Sequence, residues 1–165
     1  MMAAAPLSPA GWQQVALVGS PNCGKTSLFN QLTGTRQKVA NYAGVTVERK
    51  EGRLTLPSGR TVSILDLPGA YSLDAASPDE AVTRAVCLGE LPGEARPEVL
   101  LCVVDATNLR LHLRFVLELL ALGQPMLLVL NMMDDVRRRG IHIDVARLQA
   151  RLGKGAREQA GGCRE

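Results

Sequence analysis

Gly19-Ser20-Pro21-Asn22-Cys23-Gly24-Lys25-Thr26 is the stretch from which the fold can be read. It matches G-x-x-x-x-G-K-[ST] in the context that pattern needs. The apolar run Val15-Ala16-Leu17-Val18 before it reads as a short strand, and Thr26 to Leu32 after it has helical spacing. Glycines let the backbone curl until successive amide N–H groups point inward at phosphate oxygens, and the following helix adds the positive end of its dipole. The candidate phosphate-binding residues are therefore Gly19, Asn22, Cys23, Gly24, Lys25, Thr26 and Ser27. Lys25 would reach the β- and γ-phosphates as a point charge, and the Thr26 hydroxyl would ligate magnesium. A glycine-rich turn that binds nothing is the bland alternative.

Outward from this loop, two β-rich stretches, 45–56 and 60–65, joined by the turn Pro57-Ser58-Gly59, predict an antiparallel hairpin. Helices are expected over about 78–88 and 109–122, and strands over 99–104 and 126–130. These last two are continuous apolar runs without alternation, as in strands covered on both faces of a parallel sheet. The order β-α-β-β-α-β-α-β-α predicts an α/β fold with a doubly wound, mostly parallel sheet and helices on both faces, of the P-loop kind. Ligands in such folds bind at the carboxyl ends of the strands, and every motif found here follows a predicted strand. Residues 1–12, rich in Ala and Pro, read as a disordered leader. The domain is expected over 13–153, and the polar, Gly-rich stretch 154–165 as a disordered tail.

A length of 165 residues suits one domain. The 19 basic and 16 acidic residues balance too evenly for a nucleic-acid surface, and aromatics at 3% offer no stacking platform for single strands. The cluster Arg137-Arg138-Arg139 reads as a solvated helix end. Cys23, Cys87, Cys102 and Cys163 form no C-x-x-C pair and have no His at metal-ligand spacing, which suits a reducing cytosol. There is no apolar run long enough to span a bilayer and no signal-peptide pattern at the start, so this chain alone is expected to be soluble and cytoplasmic.

Asn131-Met132-Met133-Asp134 follows the predicted strand 126–130 and fits the N-x-x-D motif that reads guanine. A carboxylate there accepts from both N1–H and the 2-amino group of guanine, donors that adenine lacks in that place. Met132 can lay an apolar stem against the base. The bland alternative for this tetrapeptide is an ordinary helix start after a strand. In Asp66-Leu67-Pro68-Gly69, Asp66 would hold magnesium through a water and the Gly69 amide would sense the γ-phosphate, so that 70–79 can relax when that phosphate leaves. Thr46, in the segment 41–48 between the first helix and the second strand, would complete the magnesium shell in the GTP state, where simple β-propensity at a strand start is the bland reading. Lys25, Thr46 and Gly69 are the candidate catalytic residues. The bound species expected are GTP or GDP and magnesium.

The wording of these motifs, GSPNCGKTSLFNQLTG, NYAGVTVERKEG, DLPGAYSL with SPDE, VVDATNLRLHLRFVLELLALG and LNMMDD with GIHID, resembles the cytoplasmic G domain of the ferrous iron transport protein B (FeoB) family over about residues 13–153. The resemblance implies GTP binding and slow hydrolysis at the cytoplasmic face of a membrane protein that takes up ferrous iron, with a helical domain and a transmembrane region as partners in the full-length protein. It implies that Asn22 helps hold a potassium ion against the phosphates, where loop capping is the bland reading. Ala70 follows D-x-x-G where Ras-like proteins carry a water-orienting Gln, so the attacking water must be placed by backbone or by another group. Family members continue beyond residues like Leu148 to Gly153 into an apolar strand and an S-A motif that contacts guanine, and neither is evident here. Two rival readings follow: a truncated fragment impaired in nucleotide binding, and the G domain of a ribosome-assembly or tRNA-modifying GTPase, whose RNA-binding module is not seen in this chain. No iron ligands are evident, since His112 and His142 stand alone.

Overall fold

In the computed structural model the described residues are 13–35, 37–153 and, for the backbone, 156–158. The apolar run that opens the domain is β1 (Gln14–Gly19), and the helical spacing after the loop is α1 (Lys25–Thr33). The expected hairpin is β3 (Glu48–Thr55) with β4 (Thr61–Asp66), antiparallel, closed by a turn in which the Gly59 N–H donates to the Leu56 carbonyl over 2.9 Å. A further strand, β2 (Gln37–Asn41), pairs antiparallel with β3 on its outer side. Its residues, QKVAN, are mostly exposed and lack apolar alternation, so its backbone pairing left no mark in the sequence.

Helix α2 (Pro78–Leu88) starts where local chemistry dictates. Ser77 Oγ accepts from the Glu80 N–H, Pro78 occupies the first turn, and the Glu80 carboxylate reaches back to the Ala76 N–H over 3.0 Å. Gly89, at φ 74°, ends it in the left-handed region. Then follow β5 (Val99–Asp105), a 3-10 turn over Ala106–Asn108, α3 (Leu109–Ala121), β6 (Met126–Asn131), α4 (Met133–Arg138) and α5 (Val145–Leu152). Arg137 and Arg138 lie in the last turn of α4, exposed as expected.

The seven strands run β2-β3-β4-β1-β5-β6-β7, with β4, β1, β5, β6 and β7 mutually parallel. Alternate residues of the buried strands feed two cores. Ala16, Val18, Leu65, Cys102, Val104 and Leu130 meet α2 and α3, the latter through Phe115, Val116 and Leu119. Leu17, Ile64, Val103 and Val129 meet Leu28 and Phe29 of α1 on the opposite face. Helices on both faces make the sheet doubly wound.

The expectation of a missing last strand is corrected. β7 (Ala156–Glu158) pairs in parallel with Leu128 to Leu130. Three backbone-paired residues at a sheet edge need no apolar signature, so a polar stretch hid them. The leader 1–12, and the remainder of the expected tail at 154–155 and 159–165, lie outside the described residues.

Candidate nucleotide site

The carboxyl ends of β1, β4, β5 and β6 converge on the loop after β1. Asn22 and Gly24 take positive φ, 62° and 86°, which is how the chain curls within a few residues. Gly24 has a second reason to be glycine, because a Cβ there would fall 2.1 Å from Asn131 Nδ2. That amide donates to the Cys23 carbonyl over 2.9 Å, so the first residue of N-x-x-D braces the phosphate loop from the next strand but one. The Gly19 carbonyl accepts from the Ala70 N–H over 3.1 Å, which draws the D-x-x-G segment against the loop. A Cβ on Gly69 would come within 3.0 Å of the Pro21 ring.

These contacts leave a cleft of about 450 Å³, lined by loop residues including Asn22, Lys25, Thr26 and Ser27, by Gly69, and by Asp79 from the start of α2. At its floor Lys25 Nζ and Asp66 Oδ1 form an ion pair, with side chains only 10% and 7% exposed. Two charges that far out of water are tolerated only because each has the other. Thr26, Ser27 and Asn22 are exposed at the mouth.

Thr46 is not brought to this cleft. It is exposed and lines a separate depression of about 570 Å³ with Tyr42, Gly44, Val45, Val47 and Pro78. The loop is folded on itself there: the Tyr42 N–H donates to the Val47 carbonyl, the Val45 N–H donates to the Tyr42 carbonyl, and Gly44 turns at φ 76°. Tyr42 is the anchor, its ring buried. In the N-x-x-D segment, Met132 opens α4 at φ 62°, and Asp134 is 71% exposed with Arg138 Nη2 3.5 Å away.

Several site residues escaped the sequence. Asp79 was legible only as the end of the 70–79 segment and the start of the expected helix, not as part of the cleft wall. Glu118 of α3 accepts from Ser72 Oγ, from the Leu73 N–H over 2.6 Å and from Arg114 Nε over 2.8 Å. It thus holds the segment after D-x-x-G, and these donors keep its carboxyl below the usual carboxylate range against the opposing effect of burial. Thr83 Oγ1 donates to the Pro68 carbonyl over 2.8 Å from the adjoining helix. His112, isolated in sequence, shares a 2.7 Å hydrogen bond between its Nδ1 and Ser20 Oγ. Long-range pairs of this kind have no spacing signal. Cys23, Cys87 and Cys102 are buried and unpaired, and burial pushes the Cys87 thiol up to about 12.

Residues 13–158 match the family described as ferrous iron transport protein B. The chain belongs to that family. The matched residues include β7. The chain is 47% identical over 140 residues to the Fe(2+) transporter FeoB of Escherichia coli strain K12, covering 84% of this chain and 18% of that protein, so it spans about a fifth of the length of the curated relatives it matches. The crystal structure of the G domain of the T. maritima FeoB iron transporter superposes with a TM-score of 0.78 at 42% identity, over 88% of this chain and 86% of that one. The cytosolic domain of the same transporter, in its GMPPNP form, gives a TM-score of 0.79 at 43% identity over 88% of this chain and 56% of that one. Similarity at this level makes the FeoB-family domain seen here a P-loop G domain in fold.

Proposed function

We propose that this domain binds GTP and GDP, hydrolyses GTP slowly, and serves as the switch of a ferrous iron uptake protein at the cytoplasmic face of a membrane. The observation that carries the reading is the buried Lys25–Asp66 pair on the floor of a cleft whose loop is braced by Asn131. An ammonium and a carboxylate paired out of water, beside a loop that turns at Asn22 and Gly24, supply a cation suited to phosphate oxygens and an anion suited to their metal counter-charge. Supporting it, the T. maritima cytosolic domain has been solved in GMPPNP and GDP forms.

In this reading Lys25 leaves Asp66 for the β- and γ-phosphates while the loop amides from Asn22 to Ser27 hold the phosphate oxygens. The donor set fits magnesium: the Thr26 hydroxyl opens on the cleft, and the Asp66 carboxylate already faces a cation, the ammonium of Lys25. Thr46 would join them only after the loop 42–47 turns inward. Asn22, exposed at the cleft mouth, offers a carboxamide oxygen suited to potassium. Bound magnesium and potassium would supply positive charge to oxygens that become more negative in the transition state. Gly69, whose backbone lies close to Pro21, would offer its amide to the γ-phosphate, and Ala70 leaves water positioning to backbone or to another group. Asn131 shapes the loop, Met132 flanks the base, and Asp134 reads it. In the full-length protein a helical domain and a transmembrane iron pathway would be the partners, and ferrous iron the cargo. No helix among the described residues is long and apolar enough to cross a membrane.

The test is base selectivity. Asp134→Asn should lower the preference for guanosine over xanthosine diphosphate by about a hundredfold or more in equilibrium titration, because the amide offers a donor where guanine needs an acceptor. Unchanged preference would remove Asp134 from the base site. A GDP affinity of the native chain weaker than millimolar would instead favour an impaired fragment.

A further inference from the structure

His112 lies in the face of α3 that packs on the sheet, at the same helical spacing as Phe115, Val116 and Leu119, yet it is a polar residue in an apolar stripe. It is 4% exposed, and Ser20, 92 positions earlier, is 2% exposed. Their hydrogen bond, Nδ1 to Oγ at 2.7 Å, is sealed from water, so neither atom can exchange its partner for solvent.

Ser20 is where the chain leaves β1 and begins to curl. Its carbonyl accepts from the Cys23 N–H over 3.4 Å, a long bond that holds the turn only weakly. The residue before it, Gly19, cannot carry a side chain, since a Cβ would lie 2.6 Å from the Val103 carbonyl oxygen and 2.9 Å from Cys23 Sγ. The loop is thus gripped at three places: by Ala70 at Gly19, by Asn131 at Cys23, and by His112 at Ser20. The first two grips come from the D-x-x-G and N-x-x-D segments themselves. The third comes from outside every nucleotide motif.

We infer that His112 is a positioning residue for nucleotide binding, fixing through Ser20 the start of the phosphate loop so that its amides are aimed before the ligand arrives. The inference rests on the reading of this cleft as a guanine nucleotide site. A loop already held in its binding shape is not reordered at the expense of affinity, whereas a loop freed at Ser20 must be. The same helix grips the segment after D-x-x-G through Glu118. The His112 end of α3 therefore holds the loop that grasps phosphate, and the Glu118 end holds the segment that senses it.

The experiment uses the whole 165-residue chain and compares His112→Phe, Ser20→Ala, the double variant and His112→Asn. Phe fills the ring volume without a polar atom at Nδ1, and Asn restores a polar atom near that position. GDP dissociation constants are measured by titration, with thermal unfolding of the nucleotide-free chain measured alongside. His112→Phe and Ser20→Ala should each weaken GDP binding by about tenfold, the double variant no more than either alone, and His112→Asn should return affinity to within about threefold of the native chain. Affinity within twofold of native in His112→Phe would overturn the inference, as would additive losses. So would a loss that tracks the fall in unfolding temperature across all four variants. If the native chain does not bind GDP, the nucleotide reading fails and takes this inference with it. Native binding with unaffected variants sinks the inference alone.

Discussion

The floor and the rim of the nucleotide cleft are built differently. On the floor, Gly19, Ser20, Cys23, Lys25 and Asp66 are buried, and the first four are tied by bonds from four separate elements: the loop after β4, α3, β6 and β4. On the rim, Thr46 belongs to a loop bonded to itself, and Asp134 projects into solvent with one weak ionic neighbour. The difference teaches that, on the proposed reading, the phosphate half is organised by the fold itself, whereas the N-x-x-D segment and the 42–47 loop are left for the ligand to organise.

The most severe way to break this contrast is to remove one charge from the floor. Asp66→Ala leaves Lys25 buried without its partner and should cost about 3 kcal/mol or more of folding stability in urea titration, while Asp134→Asn, on the exposed rim, should cost under about 0.5 kcal/mol. Comparable losses at both positions would erase the distinction. The next effect concerns the loop. Thr46→Ala should leave GDP affinity unchanged and weaken a non-hydrolysable GTP analogue by about tenfold, because the hydroxyl contributes only after the loop has moved. Equal weakening of both nucleotides would mean that Thr46 belongs to the organised half.

The smallest effect is a pH slope. Burial lowers the His112 pKa from its ordinary 6.5 against the opposing pull of Asp105, so the folded chain resists a proton that the unfolded chain accepts. Stability contributed by the neutral ring is present above about pH 6.5 and is lost as pH falls below it, by at most about 1.4 kcal/mol per pH unit for one proton. Glu118, held below the usual carboxylate range, loses its contribution only at lower pH, below its ordinary 4.5. The step beginning near 6.5 should therefore disappear in His112→Asn, as read from unfolding midpoints between pH 7 and pH 5. Its persistence there would assign it to another group.

Much of this was legible in the chain. The limits of α2 follow from Ser77, Pro78, Glu80 and Gly89, all short-range signals, and the expected and observed helix coincide. The buried strands β5 and β6 announced themselves as apolar runs, each extending one residue further than expected, to Asp105 and Asn131. β2 and β7 did not, because edge strands satisfy their backbones by pairing and place no demand on side-chain pattern. Thr46 was placed by its order in the motif series, yet the self-bonded turn from Tyr42 to Val47 keeps it away from Thr26 and Asp66.

Sequence by itself determined the phosphate loop, its strand and helix, and the family, since these rest on residues adjacent in the chain whose spacing sets their geometry. Only the tertiary structure decided that Asn131 spends its amide on the Cys23 carbonyl, that Lys25 rests on Asp66, and that His112 reaches Ser20. Those pairings join residues 41 to 108 positions apart, and only the packing of helices on a sheet brings such residues within hydrogen-bonding distance.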